Sequence, residues 1–141
     1  MKHLYPIYIL IIISIFACSQ SPEDALQHLS GYWEIADVTF TDGSKKEFSI
    51  SQNIDFFEVK KDQTGIRTKV QPDINGHFTT SKSVENIDIK TVNDTLTLKY
   101  ATAYDTWQEK VISATKEQLV LLTKNGNVYT YRRYKPLIIN E

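Results

Sequence analysis

The chain has a single thiol, Cys18, and what that thiol can do depends on its position directly behind an apolar run. One cysteine cannot form an intramolecular disulfide, and it cannot supply the several Cys or His ligands at fixed spacing that a zinc site needs. Beyond the N-terminal run there are two histidines, His28 and His77, far apart and read as exposed polar residues. No Gly-x-Ser-x-Gly elbow, phosphate-binding glycine loop or EF-hand loop is present. Acids such as Asp55 and Glu58 lie along a strand-like segment and read as solvent-facing. Catalysis, metal and cofactor are therefore not expected. Aromatic side chains are what the chain has in quantity. Tyr100, Tyr104 and Trp107 surround one connection, and Tyr129, Tyr131 and Tyr134 crowd the last apolar segment. Such groups, apolar in body and polar at the tip, suit the wall of a ligand pocket, and equally the filled interior of a small barrel. Tyr100, Trp107, Tyr129 and Tyr131 are the candidate ligand-lining set.

Chemistry at Cys18 follows from its setting. Met1-Lys2-His3 begins the chain with positive charge, and residues 7–16 (IYILIIISIF) form an apolar run about half the length a membrane-spanning helix requires. That is the design of a secretory leader. The run ends in Ile15-Phe16-Ala17-Cys18, which resembles the lipobox of bacterial lipoproteins, with Phe16 bulkier than the usual small residue. The resemblance implies cleavage before Cys18 and acylation of that cysteine, with more than one acyl chain providing a stable anchor. Residues 1–17 are thus expected to be a signal peptide, and 124 remain. Losing Lys2 takes the formal charge from −1 to −2, and the cations occur as isolated pairs. This near-neutral balance carries no electrostatic footprint for nucleic acid.

The remaining chain is long enough for one domain with its own core. Residues 18–30 read as a polar tether and a short helical turn. Ser21 is placed to cap it, Pro22 to begin it, and Leu26 and Leu29 share a face. From Gly31 onward the period is two. Candidate strands cover 32–40, 54–60, 65–70, 77–81, 84–92, 95–100, 107–113, 118–123 and 128–134. Asp42-Gly43, Asn75-Gly76, Asn93-Asp94 and Lys124-Asn125-Gly126-Asn127 punctuate them, the last reading as a two-residue hairpin. The expected fold is all-β: an up-and-down antiparallel barrel of eight to nine strands over 31–135, preceded by a helical turn and followed by a tail at 136–141.

Gly31-Tyr32-Trp33 opens the first strand directly behind the helical turn, and the last strand ends in Tyr129-Thr130-Tyr131-Arg132-Arg133-Tyr134. Together these resemble the lipocalins, whose first strand carries Gly-x-Trp and whose last strand carries a basic residue packed on that tryptophan. The compact size resembles lipocalin-like domains of small Bacteroidetes-type lipoproteins. The resemblance implies that Gly31, Trp33 and a terminal-strand arginine close one end of the barrel. Tyr129, Tyr131 and Arg133 share one face of the last strand, so Arg133 is expected over the Trp33 ring and Arg132 in solvent. It also implies an envelope protein at the outer membrane, held through acylated Cys18 and carrying a small hydrophobic ligand. The alternative is a non-catalytic interaction module with a filled barrel and an envelope protein as partner. Asp94-Thr95-Leu96 matches an O-glycosylation sequon.

Overall fold

The computed structural model describes residues 19–136; the leader and Cys18 lie outside the described residues. The chain opens with α1 (Pro22–Leu29), where the Ser21 hydroxyl accepts from the Asp24 N–H at 3.2 Å and Pro22 takes the first turn, where no amide is missed. Ala25 and Leu29, one turn apart, are its buried edge and lie in the barrel core. Nine strands follow: β1 (Gly31–Thr39), β2 (Lys45–Glu47), β3 (Ile54–Val59), β4 (Thr64–Pro72), β5 (Phe78–Val92), β6 (Thr95–Ala101), β7 (Thr106–Ala114), β8 (Gln118–Thr123) and β9 (Val128–Arg133).

From β3 to β9 each strand pairs antiparallel with the next, and β1 pairs with both β3 and β9, so eight strands close on themselves. The all-β barrel behind a short helix is thus present. β2 is an extra strand on the far half of β1. It was not expected, because Lys45-Lys46-Glu47 is exposed throughout and has no alternation to read. The segments 77–81 and 84–92 are one strand of 15 residues, the offset being a bulge within β5 itself, where Ser81, Lys82 and Ser83 stand opposite Lys69 alone.

Four hairpins share one turn. In each, two backbone hydrogen bonds close a three-residue loop whose last residue has positive φ: Gly43, Gln63, Gly76 and Gly126. The loop at 124–127 is therefore a three-residue loop with Gly126 at φ 84°, not the expected two-residue turn. Asn-Gly serves either geometry, so the dipeptide alone does not count the loop. At Asn93-Asp94 both residues have positive φ, 49° and 57°, the pattern of a two-residue turn.

Along the strands, α1 and the turns at 60–63, 93–94 and 115–117 lie at one end, and the loops at 40–44, 102–105 and 124–127 at the other. The segment 48–53 and the loop at 73–77 instead share a groove with Glu34, Arg132 and Tyr134 on the barrel wall. α1 covers the first end, packing on β3, β6 and β7. A second aromatic cluster sits apart from the main core: Tyr32 stacks on Phe78 (4.5 Å, 8°) and contacts Phe56 (4.6 Å), while Tyr134 meets Phe78 edge-on at 5.9 Å.

Candidate functional site

Trp33 is fully buried at the covered end, and its indole N–H donates to the Leu29 carbonyl at 2.8 Å. The Arg133 guanidinium carbon lies 3.6 Å from the Trp33 ring centroid. Its nitrogens donate to the carbonyls of His28 (2.8 Å), Ser30 (2.8 Å) and Lys116 (3.0 Å). Together these two side chains satisfy carbonyls at the C-terminus of α1, where the helix dipole favours a cation. Partial burial pulls the Arg133 pKa down from its ordinary value. Gly31 completes the arrangement. Its φ is +123°, and a Cβ there would fall on Arg133 Nη1. Glycine is needed both for the backbone angle and to leave the guanidinium its place.

Arg132 does not simply reach solvent. It pairs with Glu34 at 2.8 Å and donates to the carbonyls of Phe48 (3.2 Å) and Ser49 (2.8 Å), while Glu34 also accepts from the Ser51 N–H at 2.9 Å. It ties the segment after β2 to the barrel wall.

Within the barrel the principal feature is Arg67 on β4, 9% exposed. It lies across from Phe57 on β3 and Glu85 on β5. Its guanidinium carbon sits 4.2 Å from the Tyr100 ring centroid, with the Phe57 and Trp107 rings at 5.8 and 6.0 Å. Nε pairs with Glu85, and Nη1 reaches Glu109 and the Tyr100 hydroxyl at 3.4 Å each. Asp55, 6% exposed, pairs with Lys69 at 2.7 Å. Asp55 is thus buried, contrary to expectation, while Glu58 is exposed. Desolvation disfavours the Arg67 charge, but Tyr100, Glu85, Glu109 and Asp55 outweigh it and hold its pKa above the ordinary value. Burial pushes the Glu109 carboxyl up despite Arg67 beside it, and raises the Tyr100 and Tyr131 phenols as well.

The four aromatic candidates divide. Tyr100 and Tyr131 are buried, at 1% and 6% exposure. Trp107 stacks on Tyr100 (5.1 Å, 13°), and Trp107 and Tyr129 are part-buried against the core. Tyr104, which the sequence grouped with them, is 98% exposed. His77 is exposed, whereas His28, expected to be exposed, is half-buried. Among the described residues no buried side-chain nitrogen or oxygen lacks a hydrogen-bond partner. No group of three or more His, Cys, Asp or Glu among them could hold a metal ion. None of their helices is long and apolar enough to cross a membrane. Thr95 is half-buried with its hydroxyl directed at the Asn93 carbonyl (3.4 Å), and Leu96 is buried.

The lipocalin-like domain family matches residues 29–121. The chain belongs to that family. Among solved structures it is similar to a lipocalin-like protein from Bacteroides uniformis, with a TM-score of 0.49 and 13% identity over 76% of this chain and 99% of the other. It is also similar to an uncharacterised protein from Bacteroides eggerthii, at 0.47 and 14% over 74% and 98%. No curated protein matches.

In this lipocalin-like chain the residues that sequence reasoning missed are the buried charges. Glu109 has the parity of Trp107 and Val111, Asp55 that of Phe57, and Arg67 stands opposite both Phe57 and Glu85. Charges on the inward parity of adjacent strands were the signal available. The arrangement pairs each charge with a group of the protein itself, with neither a nucleophile beside a base nor a free cation. It is suited to filling the barrel.

Proposed function

We propose that this protein is a lipid-anchored, non-catalytic interaction module of the bacterial cell envelope, held through acylated Cys18 and presenting the open end of its barrel to an envelope protein. The observation that carries this reading is Arg67. The volume where a barrel would cradle a ligand holds the protein's own guanidinium, sandwiched against Tyr100 and paired with Glu85 and Glu109. Displacing it would leave buried acids without their counter-charge, at a cost of several kcal/mol. The loops of the open end meanwhile expose Phe40 (39%) and Tyr104 (98%), while Ile50 (85%) and Ile74 (78%) line one groove on the barrel wall, and exposed apolar groups of this kind favour an interface.

One observation favours the carrier reading. Trp107 and Tyr129 lie on the inner wall and are only part-buried, which would suit a small apolar ligand resting above Arg67. Titration separates the two. Fatty acids and other apolar probes added to the soluble domain should leave its tryptophan fluorescence unchanged. Saturable quenching that Tyr129→Ala abolishes would overturn the module reading and establish the carrier.

A further inference from the structure

Gln20 is fastened to the barrel at both ends of its amide. Its Oε1 accepts from the Ala114 N–H at 2.9 Å and its Nε2 donates to the Ala114 carbonyl at 2.6 Å. Ala114 is the last residue of β7, at the end covered by α1. The amide therefore extends the sheet by a side chain, satisfying one donor and one acceptor that would otherwise lie free at a strand end. One residue later Ser21 caps α1 with its hydroxyl and, through its carbonyl, accepts from the Ala25 N–H at 3.0 Å. From Gln20 onward, then, the chain has no slack.

Only two peptide links separate Gln20 from Cys18, a reach of about 7 Å at full extension. The barrel is much taller. The nine residues of β1 rise about 30 Å along the strand, and a tilt of 35–45° leaves a height of more than about 20 Å. An acyl chain on Cys18 consequently cannot bring the open end to the bilayer that holds it without laying the barrel on its side. Apolar groups are in place where the short link would set the surface. Ile112 (52% exposed) lines a small groove shared with Ser19, Gln20 and Pro22, and Val92 (48% exposed) stands at the neighbouring β5–β6 turn.

We infer that Gln20 is an orientation clamp: it seats the α1-covered end of the barrel on the lipid surface, with Ile112 and Val92 at the headgroup boundary, and holds the open end away from the membrane. The partner of this surface is the lipid bilayer. The inference rests on the acylation of Cys18, and it adds a direction to the proposed function, because the exposed Phe40 and Tyr104 then face outward. A glycan on Thr95, beside the same groove, would lift this end off the surface, so the clamp and glycosylation at Thr95 exclude each other.

The test uses the full chain matured in its native envelope, purified in detergent and reconstituted into phosphatidylcholine vesicles containing brominated lipid. Ile112→Cys and Tyr104→Cys variants each carry an NBD label, Tyr104 lying in the β6–β7 loop at the opposite end of β7 from Ala114. Both positions are exposed, and a thioether-linked Cys18 does not compete for the label. The label at position 112 should be quenched at least twofold more than that at position 104, and Gln20→Ala should narrow the difference. Equal quenching in a vesicle-bound protein whose wild-type form rejects thiol reagent overturns the orientation alone. An unchanged difference in Gln20→Ala overturns the clamp. A wild-type protein that reacts with thiol reagent and stays off the vesicles overturns the acylation on which the inference depends.

Discussion

At the scale of single residues, Gly31, Trp33 and Arg133 act as one unit, and each explains another. Trp33 needs a carbonyl for its indole N–H and finds Leu29; Arg133 needs acceptors and finds the neighbouring carbonyls of the same helix end. Arg133→Ala removes the cation over the ring and leaves those carbonyls without a donor, which should cost about 2–4 kcal/mol in urea unfolding. Gly31→Ala should be comparably damaging, because the added methyl meets the guanidinium and φ stays at +123°. Arg133→Lys should recover only part of the loss, since an ammonium cannot offer a planar fork to three carbonyls. Arg132→Ala should instead loosen the segment after β2, seen as faster proteolysis near Phe48, with a smaller change in overall stability. Much of the unit was readable in the sequence, from Gly-x-Trp and from the parity of the last strand. The role of Arg132 was not, because its partners at 48 and 49 are backbone carbonyls, to which no residue type points.

At the scale of elements, the hairpins show what local sequence specifies and where it stops. Asp42 and Asp62 accept from the hydroxyls of Ser44 and Thr64 and from the N–H groups of the same residues, and Asp73 accepts the N–H groups of His77 and Asn75, which lowers the pKa of all three carboxyls. Three of the four matching loops place glycine at the position of positive φ; the fourth uses Gln63 at φ 63°. A β-carbon in that region costs about 1 kcal/mol. Gln63→Gly should therefore raise stability by up to about that amount in thermal unfolding, whereas Gly126→Gln should lower it. A loss of stability in Gln63→Gly would show that side-chain contacts outweigh the backbone strain. The Asp/Asn-Gly pairs made the turns legible. The Lys61-Asp62-Gln63 turn was visible only as a gap between strands, since Gln is a poor marker of positive φ. The junction at 77–92 was misjudged because Ser81-Lys82-Ser83 reads as a break, whereas these residues form a bulge within one continuous strand.

At the scale of the whole molecule, the barrel keeps charged groups in its interior, and its stability must answer to pH accordingly. A buried Arg67 is tolerable only while Glu85 and Glu109 accompany it, and the acids only while Arg67 does. The carboxyl of Glu109 already titrates above its ordinary value, burial being the main cause and Arg67 holding it back in part. A raised folded pKa favours the protonated acid. The stability it contributes is full below the ordinary carboxylate range and is lost as pH rises through the raised value. Arg67→Met keeps much of the volume but removes the one group that lowers this penalty most. At neutral pH it should cost about 3–5 kcal/mol, because buried carboxylates lose their counter-charge. Toward pH 4 the deficit should shrink, since Glu109 can take up a proton and enter the core neutral. Adding Glu109→Gln to Arg67→Met should recover a measurable part of the loss at neutral pH and little of it in acid. The measurement is urea unfolding of both variants and the parent domain across pH 4 to 8. A deficit that is the same at every pH would mean that Arg67 serves through packing against Tyr100 and Phe57 alone, and that the ion network contributes nothing to holding the barrel.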